Sequence, residues 1–323
     1  MRNLLLSLTL AAGSFGALSA GPQSSYLMRY DKPAEYFEEA MVIGNGTIGA
    51  IVYGGVDKDR ISLNDITLWT GEPEKGVTTP DAYEALPGIR AALDREDYRA
   101  ADSLQLKVQG HYSENYQPLG SLTITYKDVD GGVPAEYSRG LDLHTATAFT
   151  YVGLGHTLRE GRLTTYYASA PDSVMVIQVL SGKPFSAVIA LDSQLPHTAV
   201  ASGDAITSTG YAAYQSLPGY TSFEEKLRYD PERGTRFCTI VKAEPIGGGE
   251  VKALPDGSLD VSDCTGLTLY VTNATSFNGF DKDPAKEGKP YRELAEARIR
   301  NASVKGAEAV RRDQHADYTA LFD

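Results

Sequence analysis

Apolar and polar positions alternate along most of the chain, the signature of strands with one buried face. Ile48-Gly49-Ala50-Ile51-Val52-Tyr53 is a compact apolar run closed by Gly54-Gly55, and Arg60-Ile61-Ser62-Leu63-Asn64 alternates behind it. Residues 81–109 break the pattern. Leu86, Ile89, Ala92 and Leu93, then Tyr98, Ala101 and Leu104, recur at helical spacing and predict two short helices inserted in the sheet. From about 119 onward the strand pattern returns, in Leu122–Tyr126, Leu141–Leu143, Leu158–Tyr167, Val174–Val179 and Ser186–Leu191. It continues in Arg236–Ala243, Glu250–Leu254, Ser258–Val261 and Leu267–Val271. Val174–Val179 is apolar apart from Gln178, continuous enough for a strand buried on both faces. Turn signals separate these runs at Asp130-Gly131-Gly132, Ser181-Gly182, Gly247-Gly248-Gly249 and Pro255-Asp256-Gly257, the last a hairpin signal. About 12 or more strands at this spacing predict a mainly β fold, a large two-sheet antiparallel β-sandwich over residues 26–280. After Asp281-Lys282-Asp283-Pro284 the period becomes helical again, from Tyr291 and from Ala307, so 281–323 is expected to be a helical linker. The second of these helices runs to Asp323 without a cap or breaker, and a further domain is expected downstream.

Composition narrows the partners. The chain has 323 residues, 42% hydrophobic, with a formal net charge of −12, so a basic footprint for nucleic acid is lacking. Residues 1–19 read as a signal peptide: Arg2, an apolar run from Leu4 to Ala12, and a small-residue cleavage site at Ala17-Leu18-Ser19. A secreted or periplasmic protein is expected. No apolar run reaches the roughly 20 residues of a membrane span. The two cysteines, Cys238 and Cys264, are candidates for one disulfide or for two separate buried thiols. Neither has metal-site spacing, and no metal or cofactor is expected. Sequons stand at Asn45, Asn273 and Asn301.

Gly44-Asn45-Gly46-Thr47-Ile48-Gly49 matches the dinucleotide-binding pattern, but a β run follows it where the phosphate site needs a helix. Its glycines are read instead as hairpin-turn positions with positive φ. Leu63-Asn64-Asp65-Ile66-Thr67-Leu68-Trp69-Thr70-Gly71 holds the single tryptophan among polar residues. Asn64 and Trp69 are therefore candidate sugar contacts, although on chemistry alone a core tryptophan is the stronger reading. His111-Tyr112-Ser113-Glu114-Asn115-Tyr116-Gln117-Pro118-Leu119-Gly120 places Tyr116 and Gln117 on a loop, where binding residues gather. With 42 acidic residues the sequence singles out no carboxylate pair, and no catalytic constellation stands out in this chain.

Taken in order, several segments resemble the N-terminal domain of glycoside hydrolase family 95. They are Tyr30-Asp31-Lys32-Pro33-Ala34, Ile43-Gly44-Asn45-Gly46, Leu63-Asn64-Asp65 with Leu68-Trp69-Thr70-Gly71, and Tyr116-Gln117-Pro118-Leu119-Gly120. Arg139-Gly140-Leu141-Asp142-Leu143, Tyr167–Asp172, Ala274-Thr275-Ser276-Phe277 and Asp317–Phe322 continue the series. The resemblance implies an inverting α-L-fucosidase acting on α-1,2-fucosylated glycans. In that family a Glu acid and an Asp base belong to a downstream (α/α)6 barrel. The alternatives are a stand-alone carbohydrate-binding module and a structural cap.

Overall fold

The protein is described from a computed structural model covering residues 26–73, 81–110, 112–127, 134–154 and 160–322. Residues 1–19, expected to be a signal peptide, His111, the expected Asp130-Gly131-Gly132 turn and the first two residues of the expected Leu158–Tyr167 strand lie outside the described residues. Sixteen strands are present among them: β1 (Leu27–Tyr30), β2 (Met41–Gly44), β3 (Ile48–Val52), β4 (Lys58–Asp65), β5 (Gly120–Tyr126), β6 (Glu136–Asp142), β7 (Thr147–Gly153) and β8 (Arg162–Ser169). They continue with β9 (Val174–Asp192), β10 (His197–Ser202), β11 (Ala205–Tyr211), β12 (Gln215–Ser216), β13 (Leu227–Arg228), β14 (Arg236–Ile246), β15 (Glu250–Ala253) and β16 (Leu259–Thr275). The helices are α1 (Ala82–Asp94), α2 (Tyr98–Gln105), α3 (Tyr291–Lys305) and α4 (Ala307–Phe322).

Two long strands organise the sandwich. The first part of β9 pairs with β8 and the second part with β5, all antiparallel. The late part of β16 pairs with β14, and its early part lies between β15 and the second part of β9. One layer therefore runs β1-β6-β7-β8-β9-β16-β14-β11-β10. The other is β2-β3-β4-β5 continued through the far halves of β9 and β16 to β15. Ser181-Gly182 is thus a bend and not the expected turn, and Ser186–Leu191 continues the strand begun at Val174. Gly182-Lys183-Pro184 are exposed at that bend, and β16 answers with register shifts on either side of Cys264. A bulge re-aims a strand without ending its pairing, so one strand can serve both layers.

The main core lies between the layers, with Val52, Ile61, Leu122 and Ile124 facing Tyr166, Ile177, Val179 and Leu269. A second core forms on the outer face of the first layer, where Tyr167, Val176, Ile240 and Tyr270 meet Ala295, Ile299 and Ala302 of α3 and Val310 of α4. Val176 and Ile177 face different cores, which explains why apolar residues stand side by side in this run. The expected linker is in this way a third layer. Tyr167 donates to the Ala307 carbonyl (2.8 Å) and Tyr318 to the Leu143 carbonyl (2.6 Å). Lys305 bridges Asp172, on the β8–β9 turn, and Asp313 of α4.

The cysteines form no bridge: both are free and buried. Cys238 sits in the outer core and Cys264 in the inner one. Cys238 is in register with Ala274, ten residues beyond Cys264 on β16, whereas a disulfide requires Cα atoms within about 7 Å. Of the glycines in Gly44–Gly49, only Gly46 takes positive φ, at the β2–β3 turn. Gly44 and Gly49 are ordinary strand residues.

Candidate functional site

Beyond β4 the chain makes an Asx turn that sets up a short ribbon. The Asp65 carboxylate is buried and accepts from the Thr67 amide (2.8 Å) and hydroxyl (2.6 Å). Its other oxygen accepts from Asn273 Nδ2 (2.8 Å), and Asn273 Oδ1 in turn accepts from Thr239 (2.7 Å). The Thr67 and Thr275 hydroxyls share a further hydrogen bond (2.5 Å). This polar chain ties the end of β4 to the ends of β14 and β16, across the two layers.

The ribbon then pairs antiparallel with 115–117. The Thr70 amide donates to Asn115 O (2.9 Å), and the Gln117 amide to Leu68 O (2.9 Å). Trp69 stands directly opposite Tyr116. Strand alternation turns Leu68 and Gln117 inward and leaves Trp69 and Tyr116 outside, 45% and 44% exposed. The indole N–H donates to the Ile66 carbonyl (3.0 Å), so it is satisfied locally and both ring surfaces remain free of that duty. The core reading of Trp69 is therefore overturned, although its N–H is satisfied within the chain as that reading required. Partial burial, aided by the Asp65 charge, pushes the Tyr116 phenol up from its ordinary value.

The other two predicted residues have different settings. Asn64 stands in register with Gly49 on β3, and Gln117 is buried. The Asn64 Oδ1 and Gln117 Oε1 atoms are buried without a partner among the described residues. The structure thus unites Trp69 and Tyr116 at the surface and holds Gln117 behind them.

Further residues of the His111–Gly120 loop, and others that the sequence did not single out, complete the surroundings. Glu114 accepts from the Thr70 hydroxyl. Asn115 Nδ2 donates to Ser216 on the β12–β13 hairpin (2.7 Å), and Tyr112 meets Tyr220 of the same hairpin edge-on at 6.4 Å. Arg233 pairs through two nitrogens with Glu72 and lies 3.7 Å over the Tyr214 ring. Tyr220 and Phe223 point into solvent. The signal was present in the sequence: residues 211–229 hold four tyrosines and a phenylalanine among Pro, Gly and Ser. A row of exposed rings edged by amides and carboxylates suits the C–H faces and hydroxyls of sugars. A carboxyl raised by burial, Asp59, is enclosed in the inner core far from solvent. Among the described residues no group of three or more His, Cys, Asp or Glu side chains is placed to hold a metal ion, and no helix is long and apolar enough to cross a membrane.

A large antiparallel sandwich with such loops at its rim fits a sugar-handling domain. The chain belongs to the family described as Glycosyl hydrolase family 65, N-terminal domain, whose model matches residues 28–279. It is 30% identical to "Alpha-L-fucosidase 2" of Arabidopsis thaliana over 279 residues, 80% of this chain and 32% of that protein. It is 25% identical to "Probable alpha-fucosidase A" of Aspergillus oryzae over 88% of this chain and 38% of that protein. A "Putative kojibiose phosphorylase from human microbiome" aligns at TM-score 0.49 and 10% identity, covering 92% of this chain and 39% of that structure. The likeness to the N-terminal domain of family 95 fucosidases, carried by the motifs, agrees with these relatives. The chain spans about a third of their length.

Proposed function

We propose that this chain is the N-terminal sandwich of an exported, inverting α-L-fucosidase acting on α-1,2-fucosylated glycans. The acid and base then reside on a downstream (α/α)6 barrel, and the Trp69–Tyr116 ribbon contributes to the rim of the cleft. The observation that carries the reading is the identity with a fucosidase over 80% of this chain, within a family named for an N-terminal domain. The exposed aromatic pair adds the chemistry of a sugar contact. The test is incubation of this chain with an α-1,2-fucosylated oligosaccharide, with release of fucose measured beside a titration. The expected result is no turnover and binding weaker than about 1 mM, roughly −4 kcal/mol. Robust turnover overturns the assignment of catalysis to another domain.

The same exposed pair favours a second reading, a stand-alone carbohydrate-binding module. Binding tighter than about 1 mM that disappears in Trp69→Ala selects it over the first. Export is part of the proposal and rests on the basic residue and apolar run of residues 1–19. A mature chain whose mass corresponds to a start near Ala20 is expected in the exported fraction.

A further inference from the structure

The three sequons stand in three different environments. Asn301 is exposed on α3. Asn45 is half-buried in the β2–β3 turn, where its Oδ1 accepts from the Thr47 and Ile48 amides (3.0 and 2.8 Å) and its Nδ2 donates to Ser169 O (2.8 Å). Asn273 is buried, 1% exposed, on the late part of β16. Both of its side-chain polar atoms are engaged, Nδ2 with Asp65 and Oδ1 with Thr239, and Arg298 Nη1 donates to its backbone carbonyl (2.7 Å). Thr275, the hydroxyl residue of this sequon, is also buried and bonded to Thr67.

A sugar on Asn273 Nδ2 would occupy the position of the Asp65 carboxylate and bring a bulky hydrated group into a space closed to water. It would also release the carboxylate whose second oxygen holds the turn before Trp69. Secretory glycosylation acts on the chain before folding, so burial offers no protection at that moment. We infer that Asn273 must stay unmodified for the sandwich to close, and that the chain matures along a route that does not glycosylate Asn-X-Ser/Thr sites. The export proposed above is thereby narrowed to a compartment such as a bacterial periplasm. The inference is independent of the sugar-cleaving reading.

The test sends the whole chain through a yeast secretory pathway, with sequon glycosylation active or blocked, and maps glycan occupancy in secreted and retained protein by mass spectrometry. With transfer active, the retained, insoluble chain is expected to carry a glycan on Asn273 and the secreted chain to lack it. Blocking transfer raises the soluble yield several-fold. The Asn45→Asp variant, which keeps the acceptor for Thr47 and Ile48 but removes that sequon, shows the same retention. A soluble, folded chain glycosylated on Asn273 overturns the inference. So does a bare Asn273 in both fractions while Asn301 is occupied, a yield unchanged by the block, or retention cured by Asn45→Asp.

Discussion

Asp59 and Asp65 are both buried on β4, and the chain holds them in different ways. Asp59 accepts from the Gly55 amide (3.0 Å) and from the Tyr166 hydroxyl, deep in the inner core. Burial raises its carboxyl above the ordinary 3.8 despite those donors and the Arg162 charge. The stability it contributes is therefore complete below about pH 3.8 and lost as pH rises through the elevated value. Asp59→Asn removes that loss, so its urea midpoint should gain on the unaltered chain between about pH 3.5 and pH 7. An unchanged difference across that range counts against the argument. Asp65→Ala leaves the Thr67 amide and hydroxyl and Asn273 Nδ2 without their acceptor. A loss of about 3 kcal/mol is expected, and the single tryptophan should report a loosened turn by a red-shifted emission. A loss below about 1 kcal/mol would show that the polar chain is dispensable.

At the scale of elements, the alternating runs near Ile61, Leu122, Ile240 and Leu269 were legible because each strand buries one face or both throughout. β10 and β11 escaped notice because Thr, Ser and Ala fill His197–Ser202 and Ala205–Tyr211 and mark no strong face. The two-residue strands β12 and β13 exist through contacts such as Asn115–Ser216, which no local pattern encodes. The bend in β9 resembles a turn because its residues are exposed in either case. Separation of the cysteines follows from the layers, and both thiols are pushed up to about 11 by burial. In a thiol-reagent assay the native chain should expose none of the two and the denatured chain both, with no effect of reductant on Tm. A native chain without titratable thiols after denaturation would mean a bridge. Gly120 starts β5 at φ 140, where an added Cβ would stand 2.2 Å from the Asp192 carbonyl oxygen. Gly120→Ala should therefore cost more than about 2 kcal/mol by chemical denaturation.

For the whole molecule, the motifs that carry the family likeness meet one another in space. Arg139, buried, donates to the Lys32 and Glu39 carbonyls (2.8 and 2.9 Å) and lies 4.1 Å from the Tyr30 ring. Trp69 meets Tyr116 and Tyr318 meets Leu143, while Asp65 and Asp172 bond Asn273 and Lys305, which lie outside those motifs. These segments were visible one by one in the sequence as pieces of a family pattern, and their structural use is to fasten layers. Removing residues 281–323 would uncover Tyr167, Val176, Ile240 and Tyr270. Light scattering should then show self-association of the shortened chain, whereas a stable monomer would mean that the helices are not needed to cover the sheet.

Period-two alternation and helical spacing determined the β-rich architecture, the helical excursion at 81–109 and the helical end, because one-sided burial writes itself into adjacent residues. The residues around Trp69 could be named from the sequence but not arranged. Whether Trp69 faces water, whether Gln117 stands beside it or behind it, and whether Cys238 reaches Cys264 depend on strand register and on which layer each half of β9 and β16 joins. Those are pairings between segments as much as two hundred residues apart, such as Asp65 with Asn273, and only the closed tertiary structure decides them.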